Sequence, residues 1–432
     1  MVVGTPLGPG EGWRAPLPEL AAAEPARFLR RLNRFVAEVE YRGRIQEAHL
    51  PNPGRLWELL SPGVPLFVLP GRVGGLPLRV VGTERMGRPV LLDTGQANDA
   101  AERLLRASAL PGLEGARILR REAACGESRF DFLLERDGRP LWLEVKSCTL
   151  FGRRGALFPD APSERARKHL KGLAALPPGE GGVLILVQRG ATEWFLPDYH
   201  TDPAFSAALR SVRDRVEIRV AALDWDEGFR LASPPRVLPI PWEILEREDR
   251  DSGIYLAILR LDGPARIAVG SLGEIDFDRG HWVYVGSARR GLAARLARHG
   301  RARKALHWHI DYLRESAAFV RGIPIRTSDP DECGLARAVG ELARASDSSD
   351  PVTPPCSRRS SVPGFGCSDC GCPSHLFRFD EDPIRDPRFV ELLLRFRVDR
   401  LDEFVSLSDS APPVRREEIF SRRFSLEAFS DR

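Results

Sequence analysis

The 432-residue chain carries 64 Lys and Arg against 60 Asp and Glu, a net charge of +4, so any nucleic-acid footprint must be local. Charged residues at 29% and hydrophobic ones at 43% exclude a wholly disordered chain, and the length suits two to four domains. Seven cysteines are too few for a disulfide framework; with no apolar run approaching a membrane span, and a Pro/Gly-rich start lacking a basic and apolar leader, they predict a reducing cytoplasm.

Residues 1–25 read as a flexible tail. Beyond them, short β-like runs at Phe35–Tyr41, Ile45–Leu50, Pro65–Leu69, Leu78–Val81 and Val90–Asp93 alternate with Gly and Pro turns, which predicts a small barrel over 26–95. Such a barrel could bind single strands, with Arg31, Arg34 and Arg44 on phosphates, or could be purely structural. Ala97–Ala109 reads as a helix leading out of it.

Residues 122–146 predict a β-hairpin. Asp137-Gly138 suits a two-residue type I′ turn, whose central positions both need positive φ. Arg136 then faces Arg139, and Asp131 lies opposite Glu144. Alternation puts Phe130, Phe132, Leu134, Leu141, Leu143 and Val145 on one face and Asp131, Glu144 and Lys146 on the other. Pro140, lacking an N–H, demands an edge or weak pairing. Two adjacent carboxylates repel unless a cation separates them, and hard oxygen ligands suit Mg²⁺ or Mn²⁺. The alternative is a solvated charged face. Asp-x12-Glu-x-Lys across a hairpin resembles the PD-(D/E)xK nuclease core, in which the lysine stabilises charge at the phosphate.

Downstream, Ser163 is a candidate N-cap for a helix with Leu170, Leu173 and Leu176 on its apolar stripe. Arg165, Lys168 and His169 share another face and could lie along a phosphate backbone, or simply be solvated. A buried-strand run at Gly182–Gln188, a helix at Asp202–Arg213 and a strand at Val216–Val220 complete an α/β domain over 96–231.

Residues about 30–230 resemble the SfsA (sugar fermentation stimulation protein) family. The resemblance rests on HLPNPGRL (49–56), DTGQAND (93–99), SRFDFLL (128–134), LEVKSCTL (143–150) and FPDAPSERARKHL (158–170). It implies an OB-like barrel joined to a PD-(D/E)xK nuclease-like domain, nucleic-acid binding to which Asn52 contributes, and nuclease activity. Leu50 and Pro53 depart from the family's usual HCPNTG.

A Pro-rich, then charged, stretch at 232–252 reads as a linker between separable modules. Alternating strands follow at 253–261 and 281–288, with a basic helix at Gly291–Lys304 and another helix from Asp331. With GIY (253–255), YVGSA (284–288), RH (298–299), HWHIDYL (307–313), EC (332–333) and SDCGCPSHL (368–376), residues 253–379 resemble a small GIY-YIG-like family of unassigned function. The gap between the two tyrosine strands is longer than in ordinary domains of that kind, which implies an extra hairpin over Ala265–Gly280. Carried over, Tyr255 and Tyr284 would orient or deprotonate a water, Arg295 would neutralise the phosphate, His299 would assist proton transfer and Glu332 would hold Mg²⁺. A retained fold without activity is the alternative. Cys370, Cys372 and His375 are a candidate Zn²⁺ set, with Cys333 or a histidine of HWH (307–309) as a further ligand; the alternative is a tight polar turn with free thiols. Residues 344–361 read as a Ser/Pro loop and 381–432 as a charged tail with one apolar run, Phe389–Phe396.

These readings predict an α/β and α+β multidomain protein that binds DNA or RNA and cleaves it with a divalent metal. The alternative is a DNA-binding regulator, of a sugar-metabolism type, with inert nuclease folds.

Overall fold

The computed structural model describes residues 12–14, 17, 19–347 and 360–408. Strands β1 (Glu24–Asn33), β2 (Val36–Tyr41), β3 (Arg44–His49), β4 (Pro65–Val73), β5 (Leu76–Arg85) and β6 (Arg88–Leu91) form one sheet in the order β3-β2-β1-β4-β5-β6. A parallel contact between β3 and β5, Ala48 beside Leu78, rolls β1–β5 into an OB-like barrel of five strands. Sequence patterning missed β1, because only Phe28 of its ten residues is fully buried and three arginines interrupt the alternation. The expected loose tail is corrected in part: Trp13, Leu17 and Leu20 are buried with Leu104 and Leu105, each worth about 1.5–3 kcal/mol when fully withdrawn from water. Residues 1–11 lie outside the described ones.

Helix α1 (Thr94–Arg106) starts three residues earlier than expected, because the Asp93 carboxylate caps it, accepting from the Gly95 and Gln96 N–H groups at 2.9 and 3.3 Å. Then come β7 (Arg117–Cys125), β8 (Ser128–Arg136) and β9 (Arg139–Cys148). The β8–β9 turn has φ of 52° at Asp137 and 74° at Gly138, and pairing runs from Arg136 with Arg139 to Phe132 with Leu143, the register expected. The face pattern differs at one residue. Phe132, Leu134, Leu141, Leu143 and Val145 pack toward α1, whereas Phe130 joins the other core beside Trp142 and His169.

Small strands β10 (Leu150–Phe151) and β11 (Gly155–Phe158) precede α2 (Glu164–Ala174), capped by the Ser163 hydroxyl, which accepts from the Ala166 N–H at 3.2 Å. β12 (Gly181–Val187), β13 (Trp194–Pro197), α3 (Pro203–Val212), β14 (Glu217–Ala222) and β15 (Arg236–Val237) complete the domain. Its main sheet is ordered β15-β14-β12-β9-β8-β7, with β9, β12 and β14 parallel. β9 is therefore central, not an edge. Pro140 is tolerated because β12 joins only from Trp142 onward, so no ladder donor is missed.

The expected linker is structured: β15 pairs with β14, and α4 (Trp242–Glu248) buries Ile244 and Leu245. The second module is a four-stranded antiparallel sheet, β20-β16-β19-β21, built from β16 (Gly253–Leu261), β19 (Gly280–Ala288), β20 (Ala318–Arg326) and β21 (Leu376–Phe379). The inserted hairpin is β17 (Ala265–Ala268) with β18 (Glu274–Phe277). Helices α5 (Leu292–Gly300), α6 (His309–Ser316) and α7 (Glu332–Asp347) cover the sheet. Residues 348–359 of the expected Ser/Pro loop lie outside the described ones.

Nor is the C-terminal region only a charged tail. α8 (Pro387–Arg397) contributes Phe389, Leu392 and Leu393 to the second module's core, while Leu394, Val398 and Leu401, leading into α9 (Asp402–Ser408), pack on Leu150, Trp194, Tyr199 and Leu245 of the first half. Polar contacts tie the same junction. The Arg397 guanidinium donates to both Asp198 oxygens at 3.1 and 3.0 Å, and Arg400 donates to Glu248 at 2.7 Å. The buried His200 accepts from the Arg326 N–H through Nδ1 and donates to the Arg397 carbonyl through Nε2, so it is neutral, and burial pushes its pKa well below the usual histidine range. An apolar run and a few paired charges thus make the two halves one packed unit. Residues 409–432 lie outside the described ones.

Candidate active site

A cleft of about 380 Å³ lies between the barrel and the β8–β9 hairpin. Asp131, Glu144 and Lys146 line it from the hairpin, Arg34 and Asn52 from the barrel, and Arg165 from the first turn of α2. Residues from three separate stretches of sequence therefore converge.

Asp131 is held from two sides. The Asn98 amide on α1 donates to Oδ1 at 2.8 Å and the Val145 N–H donates to Oδ2 at 2.7 Å. The side chain thus takes a donor of β9 just where the backbone ladder ends, which explains why the alternation breaks at Phe130. Glu144 is 3% exposed; its Oε1 receives both the Lys146 ammonium and His169 Nδ1, while its buried Oε2 has no hydrogen-bond partner. Burial pushes the Asp131 carboxyl up to about 6, the Glu144 charge adding to it. Burial also pushes Glu144 up, but His169 and Lys146 outweigh it and hold the carboxyl below its usual range. The environments drive the two carboxyls apart, with Glu144 ionised and Asp131 titrating near neutral pH.

Several expected contacts take other roles. His169, placed on a phosphate-facing stripe by its spacing, is buried on Glu144 and against the Phe130 ring. Helical period gives a direction but not a neighbour, and a carboxylate waited on that side. Arg31 spends its donors on the carbonyls of Asn33, Arg34, Asn52, Gly54 and Arg55. Asn52 donates to the Leu92 carbonyl and accepts from the Gly54 N–H, each at 2.9 Å, so it shapes the turn. Arg34 and Arg165 are exposed at the cleft; Lys168 is exposed too, but beside Glu127 at 3.5 Å. Asp160 was missed. It lines the cleft, accepts from the Leu56 N–H at 3.0 Å, and leaves no room at Gly54, where a Cβ would sit 2.4 Å from its Oδ1. Its signal was that HLPNPGRL and FPDAPSER, 104 residues apart at that bond, are both motif segments.

Residues 29–92 match the SfsA N-terminal OB domain, residues 95–229 the sugar fermentation stimulation protein RE domain, and residues 254–395 the domain of unknown function DUF123. A sugar fermentation stimulation protein homolog of Methanothermobacter thermautotrophicus is 39% identical over 222 residues, 50% of this chain and 92% of that protein. The chain belongs to the sugar fermentation stimulation protein (SfsA) family. A homolog from Pyrococcus furiosus is 36% identical over 211 residues, covering 48% of this chain and 91% of that one. The solved structure of Pyrococcus furiosus SfsA in complex with Ca²⁺ is 32% identical, with a TM-score of 0.49, over 52% of this chain and 99% of that one. Family likeness thus spans the barrel and the cleft, while the DUF123 match reaches 395, through most of α8.

In the DUF123 module, the Tyr255 hydroxyl and His299 Nε2 are 2.8 Å apart, and the Tyr284 ring lies 6.3 Å from that of Tyr255. Burial pushes both phenols above the usual tyrosine range and pushes His299 down to about 4. A tyrosine so placed orients a water more readily than it deprotonates one. Arg295 donates to the Ser287 carbonyl at 2.5 Å and lies over the Trp308 ring at 5.0 Å. Glu332, expected on Mg²⁺, instead accepts from His375 Nδ1 at 2.9 Å. Cys370, Cys372 and His375 cluster with Cys333. The histidines of HWH stay outside that cluster, and His309 Nδ1 accepts from the Gly366 N–H at 3.1 Å.

Proposed function

We propose that the SfsA-like half binds nucleic acid in the cleft and hydrolyses its phosphodiester bonds with a divalent metal, as a PD-(D/E)xK-type nuclease. The observation that carries this reading is the buried pair Asp131 and Glu144, with Glu144 Oε2 unpartnered, opening onto a cleft lined by Lys146, Arg34 and Arg165. A hard cation fits that donor set: it would answer the orphaned oxygen, and the burial and Glu144 charge that together raise Asp131. Asp131 and Glu144 would hold Mg²⁺ or Mn²⁺, which when bound polarises a phosphoryl oxygen and lowers the pKa of a water. Asn98 fixes the Asp131 carboxylate and His169 fixes Glu144. Lys146 balances charge at the scissile phosphate, and Arg34 and Arg165 hold flanking phosphates.

Incubating the chain with labelled DNA and RNA should give cleavage with Mg²⁺ or Mn²⁺ and none in EDTA. Tight, metal-independent binding that leaves the substrate intact would instead favour the regulator reading. For the DUF123 module we favour a GIY-YIG-like fold that contacts nucleic acid without cutting it, because Glu332 is committed to His375.

Two further outcomes follow from the cleft. Arg165→Glu with Arg34→Glu should reduce the slope of log affinity against log salt by roughly 1–2, since each cation releases about one counterion. An unchanged slope removes both from the binding face. Because a metal must displace the proton from Asp131, Mg²⁺ affinity should rise as pH rises through about 6 and level off above. Asp131→Asn should abolish that pH dependence; calorimetry in buffers of different ionisation enthalpy reads the released proton, and a flat profile for the unmutated chain counts against the metal site.

A further inference from the structure

We propose that Cys333, Cys370, Cys372 and His375 form a Cys3His zinc site, with Glu332 as the carboxylate that holds the His375 ring. The ligand atoms of the four all lie within 4.8 Å of one another. A tetrahedral zinc with Zn–S bonds near 2.3 Å sets sulfurs about 3.8 Å apart, so small side-chain adjustments close the site. Cys370-x-Cys372 alone cannot close a tetrahedron comfortably. The missing corner comes from the first turn of α7, distant in sequence and adjacent in space.

The imidazole is divided as a zinc ligand requires. Nδ1 points at Glu332 Oε1 at 2.9 Å, and Nε2 faces Cys370 Sγ at 3.5 Å, inside the cluster. Carboxylate–histidine pairs of this kind fix the ring and its tautomer for a metal. Three thiols select a soft or borderline ion over Mg²⁺. Binding displaces one proton from each thiol, leaving three thiolates, a neutral imidazole and Zn²⁺, a net charge of −1. Arg337 and Arg344 line the cavity that Cys333 and Cys372 share, and offset that charge. Cys367 is no ligand: it lies outside the cluster and its thiol donates to the Phe365 carbonyl at 3.3 Å.

The site has work to do in the fold. It clamps the start of α7 to the loop before β21, and that loop roofs the tyrosine cluster. Gly366 has φ of 74°, and a Cβ there would sit 2.8 Å from the Tyr284 ring. The Phe365 ring packs against Tyr284 and His309, at 6.2 and 5.4 Å. Glu332 on this assignment is a positioning residue for zinc, and not a ligand of a catalytic Mg²⁺.

The full chain, purified without chelators, should carry one zinc per chain by plasma mass spectrometry. Replacement by Co²⁺ should give the strong visible bands of a tetrahedral thiolate site. Cys333→Ser with Cys372→Ser should lose the metal, while Cys367→Ser keeps it. Glu332→Gln should retain the stoichiometry but bind zinc roughly 10–100-fold more weakly in chelator competition. Should the cysteine variants fail to fold, titrating the unmutated chain with a thiol-blocking mercurial and following zinc release with a metallochromic dye decides the matter. A chain that takes up neither zinc nor cobalt, a double variant that keeps its zinc, or mercurial titration that releases none would overturn the site. Unchanged zinc affinity in Glu332→Gln would overturn the role given to that carboxylate.

Discussion

Asp131→Asn is expected to abolish metal-dependent cleavage and, at the same time, to make the protein more stable at neutral pH. The first effect follows from losing an anionic ligand, and should be roughly 10²–10³-fold or greater in rate. The second follows from linkage. The folded carboxyl titrates at about 6 against about 3.9 in the unfolded chain, so its contribution to stability is full below the unfolded value and is lost as pH rises through the folded one. At neutral pH the ionised carboxylate therefore strains the fold. Asn keeps the shape, and Asn98 can turn its amide to accept where it had donated. A gain of about 1–2 kcal/mol at neutral pH, after allowing for solvent screening, should vanish toward pH 4. Thermal melts across that range and gel-based cleavage read the two effects separately. Full Mg²⁺-dependent cleavage by Asp131→Asn with Glu144→Gln, in a chain also carrying Arg295→Ala as a control against cleavage by the DUF123 module, would sink the proposal. A mutant merely misfolded would lose stability, so the pairing of lost cleavage with raised stability separates chemistry from damage.

Arg397→Ala is expected to be the more damaging change, although it lies far from the cleft. Asp198 is fully buried, Arg397 is 6% exposed, and the guanidinium donates to both Asp198 oxygens and to Thr201. Removing the arginine leaves a buried carboxylate on which, among the described residues, the His200 and Thr201 N–H groups remain as donors. Breaking such a pair costs about 3–5 kcal/mol. Because Asp198 belongs to the first half and Arg397 to α8, the loss should appear as weakened docking of the two halves. Chemical denaturation should show a lower midpoint for Arg397→Ala and much less effect for Arg397→Ala with Asp198→Asn. If the single variant unfolds like the unmutated chain, this contact is not what joins the halves. The packed junction also replaces the expectation of a linker between separable modules at 232–252, since Ile244 and Leu245 are buried there.

What was legible in the sequence was local. The type I′ turn at Asp137-Gly138 dictated the hairpin register, because two positive-φ residues leave one way to pair the strands. Period-2 patterning then brought Asp131, Glu144 and Lys146 to one cleft, and Ser163 capped α2 as its side chain dictates. The inserted hairpin over Ala265–Gly280 was readable only through the family resemblance, as surplus length between the two tyrosine strands. Where charge interrupted the period, as in β1, the pattern went silent.

Tertiary structure decided which polar groups were already engaged. A sequence offers Arg31, Asn52 and His169 as free donors, but backbone carbonyls and a buried carboxylate claim them. It offers Glu332 to a metal, and His375 takes it, 43 positions away. It offers 381–432 as a tail, and Arg397 finds Asp198, 199 positions earlier. A turn or a cap is settled by a few neighbouring dihedrals, whereas the partner of a buried charge is whichever group the folded chain brings within about 3 Å. Turns and alternation therefore determined the β8–β9 hairpin and the cleft's carboxylates, and packing alone determined Asp160, the choice of Cys333 over the histidines of HWH and the union of the two halves, because a buried polar group needs a partner wherever in the chain it lies.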